Sequence, residues 1–308
     1  MSILLQCLRK VLIASLPLSL FADITLLPSQ EPFVAPLEPT PIVKPYRSPT
    51  VAALLSTLGP GLGHYYLGDP RVGTELLGSY LVGSIGAFAA RNDASLYATT
   101  ISTLGGISLY SIYAAYRDAH LYNGNPPLAL PRENLENLAK APFQWSIIKK
   151  PEVWGACIGA LALGTTLTYY VYVNSPCAAF KTTYIEPLRA FPVAIGEESL
   201  FRGLLQTSLS DNLSPWGAIT LSSLLFGAAH IPNALQFEPS KRWRYYSFSV
   251  PFITCLGAYM GWLTHKNHSL KESVALHTWY DFVLMGAGAL ASQAMIGGKT
   301  DVSYGWYF

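Results

Sequence analysis

Two adjacent glutamates and an arginine stand in a largely apolar part of the chain, in the sequence GEESLFRG at 196–203. Glu198 and Arg202 are four residues apart, so on a helix the arginine lies one turn above the carboxylate and can hold it ionised. Glu197 is rotated by about 100° from Glu198 on the same helix and faces another direction. The spacing predicts one paired carboxylate and one that is available for other contacts.

Two histidines follow in similar apolar settings. His277 and Asp281 are again four residues apart, a spacing in which a carboxylate orients an imidazole, and Phe226 lies one turn before His230. A charge at the centre of a bilayer costs at least about 2.5–3.5 kcal/mol. We therefore expect an internal, watered cavity to collect the ionisable residues of these apolar segments, namely Glu197, Glu198, Arg202, His230, His277 and Asp281.

The composition indicates that lipid is the solvent of much of this chain. Charged residues are 12% and hydrophobic residues 51% of the sequence, against about 25% charged in an ordinary soluble domain. The net charge of +2 and a pI near 8.2 give no electrostatic reason to expect a nucleic-acid partner. The cysteines are far apart and are interpreted as buried apolar residues without a disulfide framework: Cys7, Cys157, Cys177 and Cys255.

The first residues predict export. Residues 1–22 place two basic residues before a short apolar run that ends in a small residue, which is typical of a signal peptide. The alternative is an uncleaved membrane anchor. Residues 23–48 are rich in proline and are predicted to be a linker outside the bilayer.

Residues 49–122 are predicted to form a three-helix membrane module from apolar runs at 51–68, 74–90 and 97–116. The segment GPGLGHYYLGD at 59–69 resembles the PGxGxxYxG signature of small bacterial TM2-type membrane hairpins. His64 in this segment, like His120, His265 and His268, is predicted to have no functional role because each lies in or near a loop.

A polar loop at 123–150 follows, and the basic residues between 117 and 150 predict that it is cytoplasmic: Arg117, Arg132, Lys140, Lys149 and Lys150. Residues 151–308 form a second predicted region, with apolar stretches at 153–173, 184–207, 214–232, 247–265 and 270–292. The predicted fold is an all-α membrane bundle of about eight membrane helices. Lys241, Arg242 and Arg244 do not fit a strict alternation of its loops.

The polar residues of the second region resemble the motifs of the CPBP (Abi) family of intramembrane proteases, which includes CaaX-processing endopeptidases. The family's motifs appear in its order as EExxxR at Glu197, Glu198 and Arg202, FxxxH at Phe226 and His230, and HxxxN/D at His277 and Asp281. The resemblance covers about residues 151–292. It implies an all-helical membrane bundle whose active site is enclosed among the helices.

The resemblance also implies a role for each motif residue. Glu197 would be the general base and His230 its partner in activating a water, while His277 and Asp281 would stabilise the oxyanion. Glu198 and Arg202 would fix the helix that carries Glu197. Asp281 stands where the eukaryotic enzymes have asparagine, and because an ionised carboxylate donates no hydrogen bond, it would instead fix the tautomer of His277 or bind a metal.

Two alternatives remain open from the sequence. Zinc held by Glu197, His230, His277 and Asp281 is one, although the chain has no HExxH motif. A non-proteolytic membrane protein of the same fold, acting in immunity, scaffolding or partner binding, is the other. The enzyme is the preferred interpretation because every motif residue is present. Its expected partners are membrane lipid and a membrane-associated peptide or protein substrate, and its expected location is a bacterial inner membrane.

Overall fold

The computed structural model describes residues 44–124, 126–127, 129–172 and 185–296, and all regular secondary structure in these ranges is helical. The predicted all-α class is confirmed for this part of the chain. The predicted signal peptide, most of the predicted linker, and Cys7 and Cys177 lie outside the described residues. Cys157 is buried as predicted, but Cys255 is exposed, so the prediction of a buried residue was wrong there.

The N-terminal region contains four helices rather than three: α1 Pro49–Leu58, α2 Leu62–Leu67, α3 Pro70–Ala90 and α4 Ala94–Asn123. Their starts follow from the local sequence. The Asp69 side chain accepts a hydrogen bond from the Val72 amide, and Pro70 occupies the first helical turn, where its missing N–H costs nothing.

The apolar run at 51–68 is not one helix, because the chain turns between α1 and α2. Gly61 has φ of 90°, a conformation that favours glycine. Its amide donates to Ser111 Oγ at 2.8 Å, and a Cβ at this position would collide with the carbonyl oxygen of Gly73. The turn packs α2 against α4 and gives two short helices where the sequence predicted a single span.

The apolar stretches predicted after residue 150 each contain a helix. The helices of the second half are α5 Leu135–Lys140, α6 Trp145–Ile148, α7 Pro151–Tyr172, α8 Ala190–Glu198, α9 Thr207–Ser210, α10 Pro215–Ala229, α11 Arg242–Arg244, α12 Val250–Asn267 and α13 Lys271–Ile296. Between α8 and α9 the chain forms a π-helical segment at Ser199–Gln206, in which each hydrogen bond spans five residues. The hydrophobic pattern gave no sign of this wider turn.

Of the three apolar clusters that hold the described helices together, two reach the helices after residue 150. One includes Phe226 of α10 and Leu276 of α13. The other joins Tyr113 of α4 to Ile195 of α8 and Val274 of α13. The N-terminal helices therefore share a core with the helices that carry the CPBP-like motifs.

Two helical stretches of the described residues, α3 and Pro215–Leu235, are long and apolar enough to cross a membrane. The predicted count of eight membrane helices is not confirmed by this test.

Arg117 differs from the prediction that placed it in a basic loop, whereas Lys150 lies between two helices as predicted but is paired. Arg117 lies within α4 and is buried, and Lys150 Nζ donates to Glu272 Oε1 at 2.6 Å. A run of charges indicated a loop, but Arg117 pairs with its neighbour Asp118 within a helix, and Lys150 pairs with a residue 122 positions away. The cytoplasmic location of the loop thus rests on fewer free basic residues and stays a prediction.

Candidate active site

A close crossing of two helices places the GEESLFRG segment. Gly196 of α8 faces Gly106 of α4, and a Cβ on Gly196 would lie 2.8 Å from the Gly106 Cα. A Cβ on Gly106 would collide with the carbonyl oxygen of Pro192. Because the backbones of α4 and α8 touch with no side chain between them, the position of Glu197 is fixed relative to α4.

Arg202 ties the π-helical segment to two neighbours. Its Nη1 donates to Glu198 Oε1 at 3.0 Å, which forms the ion pair expected from the spacing, and its Nη2 donates to the Gly257 carbonyl of α12 at 3.0 Å. The guanidinium lies 4.2 Å from the centre of the Phe226 ring. A Cβ on Gly257 would lie 2.9 Å from both Arg202 and Phe226. Only a glycine at this position lets α12 pack this closely against the two side chains.

His277 joins the glutamate pair to Asp281. Its Nδ1 donates to Glu198 Oε1 at 2.8 Å. Its Nε2 lies 3.3 Å from Asp281 Oδ2 and 3.8 Å from Glu197 Oε2. Sequence reasoning predicted the His277–Asp281 contact but missed the contact with Glu198, because helical spacing carries no information about a partner 79 residues away.

His230 is held by its own helix. Its Nδ1 is 2.8 Å from the Phe226 carbonyl oxygen, and because a carbonyl only accepts, Nδ1 carries the hydrogen and Nε2 is left as the acceptor of the neutral ring. The Phe226 ring centre lies 4.7 Å from that of His230 and 6.1 Å from that of His277.

The active-site cluster, defined as Glu197, Glu198, Arg202, His277 and Asp281, is incompletely paired. Its other members are buried, but the Glu197 side chain keeps 20% of its surface exposed. One carboxylate oxygen each of Glu197 (Oε2), Glu198 (Oε2) and Asp281 (Oδ2) is buried without a hydrogen-bond partner among the described residues. Buried oxygens without partners are costly in a folded protein and are associated with function.

Comparison with known protein families bears on this arrangement. The family model described as type II CAAX prenyl endopeptidase, Rce1-like, matches residues 182–283. This segment is Rce1-like. The Rce1-like segment covers less than half of the chain and contains all three motifs, from Glu197 to Asp281. No curated protein and no solved structure gave a match to the chain.

The Rce1-like segment does not provide the zinc site considered from the sequence. Within the ranges described above, no group of three or more His, Cys, Asp or Glu side chains is placed to hold a metal ion. Glu198 Oε1 is occupied by Arg202 and His277, and His277 Nδ1 is occupied by Glu198. The geometry therefore gives no support to the set Glu197, His230, His277 and Asp281 as metal ligands.

An apolar cavity of about 200 Å³ lies beside the Rce1-like segment, between α13 and the helices before it. Leu276 and Trp279, which lie one residue before and two residues after His277, line it from α13, and Val153, Trp154 and Cys157 line it from α7.

His64 differs from the expectation that it lies in or near a loop. It lies in α2, is completely buried, and its Nε2 is 3.1 Å from Asp118 Oδ2. The nearby charge of Asp118 is distant in sequence, so local reasoning gave no signal for it.

Proposed function

We propose that this chain is a membrane-embedded endopeptidase that hydrolyses peptide bonds in membrane-associated proteins. The observation that carries the proposal is the placement of Glu197. It is the most exposed side chain of the active-site cluster, and its buried Oε2 faces Nε2 of His277 at 3.8 Å. A carboxylate with a free oxygen beside an imidazole suits the activation of a water molecule.

In the proposed reaction Glu197 takes a proton from a water, and the water oxygen attacks the carbonyl carbon of the scissile peptide. His230, with its acceptor Nε2, assists in orienting that water. Nε2 of His277 faces the reacting groups because Nδ1 is committed to Glu198, and a protonated Nε2 donates to the oxyanion as it forms. Glu197 then passes its proton to the leaving amine, and the peptide bond breaks.

The remaining cluster residues act through position. Glu198 orients His277 and is itself held by Arg202. Asp281, at 3.3 Å from His277 Nε2, fixes the ring rather than donating to the oxyanion, because an ionised aspartate has no hydrogen to donate. The apolar cavity between α7 and α13 suits the apolar part of a membrane-anchored substrate.

The proposal extends to location. The family match and the two apolar helices support an integral membrane protein. We place it in a bacterial cytoplasmic membrane, with the TM2-like resemblance at 59–69 as the basis.

Purified protein in detergent, incubated with a library of membrane-anchored peptides, tests the function. We expect cleavage products by mass spectrometry from the natural sequence and from the matched variant Glu75→Gln, which changes a more exposed glutamate of α3. We expect none above background from Glu197→Gln, and we expect cleavage to persist in a chelator. Equal cleavage by Glu197→Gln would contradict the proposal, and a stable complex with an intact peptide would favour the non-proteolytic alternative.

A further inference from the structure

A second group of charged and ionisable residues, three of them buried and Asp118 half-buried, lies outside the Rce1-like segment. We call it the Arg117 cluster, which consists of His64, Arg117, Asp118 and Glu133. Asp118 accepts from Nε and Nη2 of Arg117 at 2.7 and 2.9 Å, and the same carboxylate lies 3.1 Å from His64 Nε2. A two-pronged arginine–carboxylate pair fixes the orientation of the guanidinium.

The third nitrogen of this guanidinium reaches the loop between the two halves of the chain. Nη1 of Arg117 donates a short hydrogen bond to the backbone carbonyl of Glu133. The Glu133 carboxylate in turn accepts from the backbone amide of Leu270 at 3.4 Å. Both Arg117 and Glu133 are buried, so water does not compete strongly for these bonds.

Leu270 directly precedes α13, so the Glu133 carboxylate lies at the N-terminus of the helix that carries His277 and Asp281. The first amides of a helix lack partners within the helix, and the positive end of the helix dipole favours a carboxylate. His277 lies seven residues beyond Leu270, about 10 Å along a helix. A shift or rotation at the start of α13 therefore moves the His277 ring.

We propose that Arg117 is a positioning residue for the active site: through Glu133 it holds the N-terminus of α13, and His64 and Asp118 orient Arg117 for this task. The TM2-like segment at 59–69 would then serve the reaction without contacting substrate. The catalytic readout of this proposal rests on the proposed function, but the structural readout does not.

The test compares Arg117→Gln with Arg71→Gln, a matched change of an arginine that is exposed on α3 and pairs with Glu75. Hydrogen exchange is measured in detergent for the amides of 270–277 and for those of α12. We expect Arg117→Gln to accelerate exchange at 270–277 about tenfold, the factor that follows from losing one charge-assisted hydrogen bond, and to leave α12 unchanged. We expect Arg71→Gln to change neither region.

Kinetics measured on a cleaved peptide are the second part of this test. We expect kcat of Arg117→Gln to fall about ten- to a hundredfold, as for other residues that orient catalytic groups, with KM within about twofold because substrate contacts are retained. Unchanged exchange at 270–277 overturns the proposal whatever the activity. Faster exchange throughout α12 and α13 with unchanged kcat also overturns it, since that result describes a purely structural role.

Should the natural sequence cleave no peptide, the proposed function fails, and the exchange experiment alone decides the positioning role. Glu133→Gln replaces Arg117→Gln if the latter does not fold. It keeps the backbone carbonyl that Arg117 binds and weakens only the contact with Leu270, so the same local acceleration at 270–277 is expected.

Discussion

Arg117 and Arg202 are both buried arginines, yet their surroundings differ in how fully they are paired. Nε, Nη1 and Nη2 of Arg117 all have acceptors, in Asp118 and the Glu133 carbonyl. Nε of Arg202 has no hydrogen-bond partner among the described residues, and each carboxylate of its cluster has one buried oxygen without a hydrogen-bond partner there, although two of these oxygens lie within 4 Å of His277 Nε2. In the Arg117 cluster, Nδ1 of His64 is the one buried side-chain atom without a hydrogen-bond partner among the described residues.

This difference indicates two uses for buried charge. A saturated network holds one geometry and leaves no group available to react, whereas an incompletely paired one is less stable but keeps acceptors available for a water or a substrate. On this view the Arg117 cluster sets position, and the active-site cluster does chemistry. The following changes test the contrast, beginning with the largest expected effect.

Glu197→Gln tests whether the active-site cluster carries out the chemistry. The amide keeps the size of the side chain but cannot accept a proton from water, so turnover should fall about 10²- to 10⁴-fold, the range for loss of a general base. Initial rates and the thermal midpoint in detergent are the measurements. A midpoint that stays within error of the natural protein is the required control, and near-normal turnover would refute the role of Glu197.

Glu198→Gln should damage both stability and turnover. The ion pair with Arg202 by itself predicts an effect mainly on stability. Removing the charge leaves a buried guanidinium poorly paired, which costs up to about 3–5 kcal/mol, and it also weakens the bond that orients His277. Denaturant unfolding and initial rates measure the two effects separately. An unchanged unfolding midpoint would show that Glu198 does not carry the ion pair.

Gly203→Ala tests the surface where the two halves of the chain meet. A Cβ on Gly203 would lie 2.5 Å from the Tyr113 ring, so we expect a loss of about 1–3 kcal/mol from overpacking, seen as a lower thermal midpoint. Gly155→Ala is the matched control, because no atom lies within 4 Å of its added Cβ. Equal midpoints for the two variants would show that α4 does not press on the π-helical segment.

Arg71→Ala should have the smallest effect. Its side chain is 80% exposed and its only described ion pair is with Glu75 one turn away, so the free energy of unfolding should change by no more than about 0.5 kcal/mol. A larger change in thermal unfolding would show that exposed pairs of this protein contribute as buried ones do, and the contrast between the clusters would lose its basis.

The part of the site that follows from helical spacing could be predicted from the sequence. Glu198 with Arg202, and His277 with Asp281, are local pairs that any helix would form, and the structure forms both. The three motifs also predicted the resemblance that the Rce1-like family model gives over residues 182–283. Apolar stretches predicted the later helices, although the ends of the helices differ by several residues.

The rest depends on contacts between distant residues. His64 with Asp118, Glu198 with His277, and Gly106 with Gly196 are each separated by more than fifty residues, and no local pattern encodes such pairs. Arg117 was assigned to a loop because charge is rare in buried helices. The π-helical turn at Ser199–Gln206 was missed because hydrophobic spacing does not report which amide bonds to which carbonyl.

The ion pair between Glu198 and Arg202 has a consequence for biosynthesis. In the membrane placement proposed above, the helix that carries this pair enters the bilayer while the chain is still being made, before His277, 79 residues later, can reach it. A pair within one helix needs no other part of the protein, so the arginine can neutralise the glutamate during insertion itself. Separate charges would each cost at least about 2.5–3.5 kcal/mol at the bilayer centre. The same contact that later orients His277 thus lowers the barrier to placing the catalytic helix in lipid.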